Sequence, residues 1–181
     1  MEDDFSGELV QKVDDGRIII NFLNGKKHGL TKFVSNENVT LSEIPYQNDK
    51  IHGELKQYYK SGKILSIFTY ENGRQNGLFV SFSENGMKQM QANYQNGKLH
   101  GEFTAFDEFG DIVRKSVYVD GLKHGECFLY YSKSQGGGIY EVSKYENNLL
   151  EGDKTIFYNT GEIMSIIPYK SGKAQAYSHV L

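Results

Sequence analysis

Tryptophan is absent, and 181 residues contain one cysteine and two prolines. A single Cys cannot close an internal disulfide, and no Cys/His spacing has the form of a zinc or haem site, so no staple, metal or cofactor is expected. A reducing compartment suits that usage, and the cytoplasm is the expected location. Long hydrophobic runs are also missing. Met1 leads into Glu2, Asp3 and Asp4, and no segment has the apolar length of a signal peptide or spanning helix. Positive charge is not in excess either. The 20 Lys plus Arg face 23 Asp plus Glu, a net charge of -3, which gives no footprint for a phosphate backbone. Nucleic acid is therefore not an expected partner.

What the chain does have is glycine and aromatics. It carries 20 Gly, 13 Tyr and 11 Phe. That glycine content is above the average of roughly 7%, and the aromatics are too frequent for a disordered Gly-rich chain, so both must have positional jobs. An aromatic recurs at Phe22, Tyr46, Tyr70, Tyr94, Tyr118, Tyr145 and Tyr169, at intervals of 24, 24, 24, 24, 27 and 24. The long interval holds Gly136, Gly137 and Gly138, so a three-residue insertion accounts for it. The chain reads as one tandem-repeat domain over 1–181. A degenerate first unit spans 5–21, and repeats cover 22–45, 46–69, 70–93, 94–117, 118–144 and 145–168. A partial unit occupies 169–181.

With the recurrent aromatic as column 1, glycines fall in three columns. Column 4 holds Gly25, Gly73, Gly97, Gly121 and Gly172; column 8 holds Gly29, Gly53, Gly77, Gly101, Gly125 and Gly152. Column 17 holds Gly62, Gly86, Gly110, Gly137 and Gly161, and Gly7 and Gly16 keep the spacing of columns 8 and 17. Asn-Gly in columns 3 and 4 is the dipeptide of a two-residue type I′ hairpin turn, which needs positive φ twice. Columns 14 to 17 read as a four-residue hairpin loop. Between the turns lie segments of strand length and β-branched or aromatic composition, with no sustained helical period.

The expected fold is all-β, with tandem 24-residue β-hairpin repeats forming one elongated, twisted antiparallel meander sheet of about fifteen strands. The two turns predict one register, column 6 opposite 25 and column 13 opposite 18. Alternation then puts columns 6, 8, 10, 12, 19, 21, 23 and 25 on one face, face A, and columns 5, 7, 9, 11, 13, 18, 20, 22 and 24 on the other, face B. The column 8 Gly is expected beneath the column 25 Tyr as an aromatic covering a strand glycine. Edge strands at the ends of the array invite pairing with a second copy, with Asp3 and Asp4 blunting one edge.

The unit Tyr94-Gln95-Asn96-Gly97-Lys98-Leu99-His100-Gly101-Glu102, with Phe106 in column 13 and Gly110 in column 17, resembles the MORN repeat (membrane occupation and recognition nexus) in its bacterial variant form. The resemblance covers residues 22 to 181. It departs from the eukaryotic pattern in lacking Trp and in carrying Glu54, Glu102 and Glu126 after His-Gly. It implies stacked hairpins acting as a scaffold, protein-binding or lipid-binding surface, and it implies the antitoxin-like or immunity-like proteins among which bacterial variant arrays are counted.

His28, His52, His100 and His124 share column 7 and recur once per repeat, at a spacing of roughly 9.6 Å that cannot share one zinc, so they read as structural. Cys127 and His124 leave opposite faces, which rules out a nucleophile and base pair. Glu102 and Glu126 lie at a spacing of roughly 9.6 Å, near the upper end used by inverting glycosidases, yet Glu54 and Asp153 continue the column as surface charge. No enzyme is expected. Lys26, Lys50, Arg74, Lys98 and Lys173 form a basic column 5 that could meet anionic lipid, although acidic column 9 shares its face. Tyr58, Phe82, Phe106, Tyr130 and Phe157 form an aromatic column 13. Flanked by His52, His100, His124, Glu54, Glu102 and Glu126, that row is the expected site for another protein, a toxin in the antitoxin reading.

Overall fold

The structure is a computed structural model that describes residues 4–176. Asp3 and residues 177–181 of the partial last unit lie outside the described residues. The strands form one open antiparallel sheet of 18 segments in meander order. Among the described residues the only helical segment is a 3₁₀ turn, Lys133–Gln135. The chain divides into two compact units, residues 1–88 with 94–97, and 89–93 with 98–181.

In the first unit the strands are Gly7–Val13, Gly16–Leu23, Lys26–Lys27, Gly29–Ser35, Thr40–Gln47, Lys50–Ile51, Gly53–Tyr58, Ile64–Glu71 and Arg74–Phe82. Strand Lys88–Gln95 is shared between the units. The second unit continues with Lys98–Phe106, Ile112–Val119, Leu122–Tyr130, Ile139–Glu146, Leu149–Leu150, Gly152–Phe157, Ile163–Lys170 and Lys173–Ala174. The segments outnumber the expected strands because three strands are interrupted next to column 8, at His28, His52 and Glu151.

The Asn-Gly turns form as the sequence demands. Asn72 and Gly73 have φ of 50° and 83°, and Asn96 and Gly97 have 52° and 82°, the doubly positive pair of a type I′ turn. Tyr70 pairs with Gln75 and Glu71 with Arg74 around the first of them. Successive turns are then stacked by backbone bonds. The Gly73 N–H donates to the Ile51 carbonyl, and Gly121 N–H to that of Leu99, each at 2.8 Å.

The register differs from the sequence expectation in two places. Past each Asn-Gly turn the outgoing strand holds two more residues than its partner. Tyr70 pairs with Gln75 and Phe68 with Phe79, so Asn76, Gly77 and Leu78 together oppose Thr69. The column 8 Gly sits in the middle of this bulge, with φ of +113° at Gly77 and +108° at Gly53. A bulge that needs positive φ selects glycine. That geometry explains the column, and the expected tyrosine neighbour is present as a direct cross-strand pair, Gly53 with Tyr70. The carbonyl freed by the bulge is taken up by side chains, Thr69 Oγ1 donating to Leu78 O and Asn21 Nδ2 to Leu30 O.

The second difference is at the other turn. Tyr59 N–H donates to Lys63 O and Gly62 N–H to Tyr59 O, which closes a three-residue loop with Gly62 at φ +81°, not the four-residue loop expected. One further residue is bulged on the return strand, so that Gln57 pairs with Ser66 but Tyr58 with Ile64. The first hairpin lacks both features. Val13 pairs with Gly16 across Asp14-Asp15, so Gly16 opens a strand instead of closing a loop. A Cβ on Gly16 would lie 2.1 Å from the Val34 carbonyl oxygen, which is why no side chain stands there.

Face A carries the sheltered side chains. Columns 10, 21 and 23 supply Thr31, Phe103, Cys127, Ser66, Glu141, Ile20, Ala92, Ser116 and Ser143, all buried. Val34 and Val80, in columns 13 and 11, are buried outside face A, as are the loop residue Ser35 and Gly16. In the first unit Phe79 bridges Phe68 at 4.8 Å and Tyr94 at 6.3 Å. In the second, the Arg114 guanidinium lies 4.6 Å from the Phe103 ring centre and donates to Tyr118 Oη at 3.1 Å.

Candidate partner-binding edge

Column 7 is a turn cap. His52 Nδ1 accepts from the Asn72 backbone N–H at 3.5 Å, and His100 Nδ1 from that of Asp120 at 3.4 Å. Where column 7 is not His, Asn76 Oδ1 accepts from Asn96 N–H and Glu151 Oε2 from Ser171 N–H. Each side chain satisfies the turn of the following repeat. At His28 and His124 the arrangement inverts, because the next turns read Asn48-Asp49 and Asn147-Asn148. Asp49 Oδ1 accepts from Lys27 N–H and Asn148 Oδ1 from Lys123 N–H, and Nδ1 of both imidazoles is left without a partner. Lys27 and Lys123 meanwhile cover the Tyr46 and Tyr145 rings.

Column 9 is exposed at Glu54, Glu102 and Glu126. Glu54 lies 3.4 Å from the Lys56 ammonium. Glu102 and Glu126 line one shallow hollow of about 120 Å³ with Thr104, Val117, Phe128 and Lys115. Lys115, which pairs with both Thr104 and Phe128, brings a cation to the strand between the two that carry the carboxylates. Cys127 faces the other way. It is buried between its cross-strand partners Ser116 and Ser143, with Sγ 3.0 Å from Ser116 Oγ. His124 instead lines a separate hollow with Lys144, Glu146 and Glu151. Lys26, Lys50 and Arg74 in the first unit, and Lys98 and Lys173 in the second, are exposed and in no ion pair among the described residues.

Column 13 runs beside the three-residue loops. Tyr58 and Phe82 in the first unit, and Phe106, Tyr130 and Phe157 in the second, are half-buried. Tyr58 Oη donates to Glu43 Oε2 at 2.8 Å, and Lys32 approaches the same carboxylate at 3.0 Å. The Lys32 bond, then the Tyr58 bond, lower the Glu43 pKa, while burial and the Glu43 carboxylate push the Tyr58 hydroxyl up to about 12. Adjacent tyrosines tie one repeat to the next. Tyr59 Oη donates to Phe82 O and Tyr131 Oη to Phe157 O, each at 2.8 Å.

The bulged return strand also brings an isoleucine column against this row. Tyr58 pairs with Ile64, Phe106 with Ile112, Tyr130 with Ile139 and Phe157 with Ile163. Sequence alternation put column 19 on the face opposite column 13. The extra bulged residue changes the parity and sets the two columns together. Ile163 is 56% and Phe109, at a loop tip, 71% exposed. The second unit therefore presents an apolar strip along its loop edge, built from side chains that recur every repeat. The recurrence of Ile in column 19 was the signal that could have revealed it.

Among the described residues no group of three or more His, Cys, Asp or Glu is arranged to hold a metal ion, and no helix is long and apolar enough to cross a membrane. The architecture is that of a β-hairpin repeat array. In agreement with it, the family model for the MORN repeat variant matches residues 51–72, 75–96 and 150–171. No curated protein matches the chain.

Proposed function

We propose that the chain is a non-enzymatic protein-binding repeat module that engages its partner along the loop edge. The observation that carries this reading is the aromatic and isoleucine strip of the second unit, half-buried at Phe106, Ile112, Tyr130 and Phe157 and exposed at Ile139 and Ile163. Contiguous apolar surface flanked by polar loops is the usual character of a protein interface. The matched repeat variant supports a binding role, and the burial of Cys127 away from His124 fits a surface without a nucleophile. The partner class we favour is a toxin, neutralised in the manner of an antitoxin or immunity protein, on the strength of the resemblance to bacterial variant arrays.

A second reading rests on the exposed cations Lys26, Lys50 and Arg74, which suit the anionic head groups of a membrane-associated scaffold. Co-sedimentation with phosphatidylserine-containing vesicles separates the two. The protein-binding reading expects the chain to stay in the supernatant at physiological salt. Sedimentation that is lost at moderate salt and in a Lys26→Ala, Lys50→Ala, Arg74→Ala variant supports the lipid reading instead.

A further inference from the structure

In a tandem array, whatever the sheet itself requires must recur in every repeat. One segment does not. Residues 132–138, between Tyr131 and Ile139, hold the three-residue insertion, with a 3₁₀ turn at Lys133–Gln135 followed by Gly136, Gly137 and Gly138 at φ of 103°, 70° and 85°. The segment is tied down on both sides within the second unit. Lys133 Nζ lies 2.6 Å from Asp111 Oδ1 in the preceding loop, and Asn159 Nδ2 in the following loop donates to Gln135 O at 2.9 Å.

A second singularity coincides with the first. The bulged residue of column 20 is Leu41, Leu65, Val113 or Met164 in other repeats and Gln89 in one, but it is Tyr140 beside the insertion. A bulge re-aims its side chain. Tyr140 meets Tyr131 edge to face, with ring centres 5.1 Å apart and planes at 74°. Tyr131 is itself fixed by its bond to Phe157 O. Together with Tyr130 and Gln135 these rings line a hollow of about 200 Å³ that opens on the loop edge.

Its charge environment selects the guest. The preceding loop contributes Asp107, Glu108 and Asp111, and the following loop Glu162. The one cation of the insertion, Lys133, is committed to Asp111, with Asp107 close enough to act on it as well. Tyrosine faces between loops of net negative charge attract a flat, weakly hydrated cation. We propose that the insertion builds a pocket for an arginine side chain of the partner protein, an inference that rests on the protein-binding reading and names one contact of it.

The test uses small probes on the whole protein, so it stands apart from partner capture. N-acetyl-L-arginine amide and N-acetyl-L-leucine amide are titrated into protein carrying ¹³C-labelled tyrosine rings. The expected result is a saturable shift of the Tyr130, Tyr131 and Tyr140 signals with the arginine probe only. Tyr140→Leu, which restores the residue of repeats 22–45 and 46–69, should weaken the arginine response about fivefold with the tyrosine signals outside the pocket unmoved, as for loss of one aromatic wall. An equal response to the leucine probe, no saturation with arginine, or unchanged arginine affinity in Tyr140→Leu overturns the proposal. A failure here with Phe106 and Phe157 still required for capture leaves the binding module standing; the reverse result refutes the strip while keeping the pocket.

Discussion

Replacing Gly77 by Ala tests the bulge. The residue has φ of +113°, and a Cβ there would meet Thr69 Cγ2 at 3.1 Å and Thr69 Cβ at 3.2 Å. Holding an L residue at positive φ costs roughly 1–2 kcal/mol. The contact is tighter than ordinary packing and cannot relax freely, because Thr69 Oγ1 is engaged with Leu78 O at 2.9 Å; crowding of that kind costs roughly 1–3 kcal/mol. Against these stands a gain of about 0.4–1 kcal/mol from the stiffer unfolded chain. The net loss is about 1–4.5 kcal/mol, centred near 3. Gly86, at φ +88° with nothing within 4 Å of an added Cβ, isolates the strain, so Gly86→Ala should cost only about 1 kcal/mol. Urea unfolding followed by circular dichroism gives both values. In a double-mutant cycle Thr69→Ala should recover about 1–2 kcal/mol of the Gly77→Ala loss, and should recover nothing in Gly86→Ala. Equal costs at Gly77 and Gly86, or no coupling to Thr69, would refute the account of column 8.

Further outcomes follow from the charged groups. Tyr58 is raised from 10.0 to about 12, so the folded protein keeps the proton that the unfolded chain loses, and stability falls as pH rises through that window. The effect is capped at roughly 2.7 kcal/mol and is nearer half that for a partly exposed hydroxyl; Tyr58→Phe should flatten urea midpoints measured from pH 10 to 12 by that amount, and an unchanged slope would contradict it. In the second unit Glu141 is buried and lies 2.7 Å from Lys154, whose pKa is raised chiefly by its bond to that carboxylate. Lys154→Met should cost about 2–4 kcal/mol by leaving the carboxylate unpaired. Adding Glu141→Gln should recover at least half, and a double variant no better than the single would show that the pair is not what matters there.

Much of this fold was legible because its signals repeat. Asn72-Gly73 and Asn96-Gly97 announce turns that need two positive φ values, whereas the Asn85-Gly86 pair of the other loop has positive φ only at its glycine. The register was misread because glycine serves two purposes, the turn at column 4 and the bulge at column 8, and only the first has a dipeptide signature. The faces survived the error. The Asn76-Gly77-Leu78 bulge shifts pairing by two residues, and a two-residue shift preserves side-chain parity. At the loop end the shift is by one. There parity changes, which is why Ile64, Ile112, Ile139 and Ile163 were assigned away from the aromatic row they adjoin. His52 and His100 were legible as structural residues, but their acceptor role belongs to the next repeat's turn, and a contact between residues twenty apart has no local pattern. The tyrosine pocket was half visible. The insertion broke the period in plain view, but the significance of Tyr140 depends on a bulge that only the pairing reveals.

The central claim, that the loop-edge strip of the second unit binds a protein, is met most directly by quantitative capture from extract of the source cells with wild-type protein and with the Phe106→Ala, Phe157→Ala double variant. The account predicts one protein retained in stoichiometric amount by the wild type and lost from the variant, with the β-rich circular dichroism spectrum of the two indistinguishable. Equal retention by both proteins, or retention of lipid alone, would contradict it.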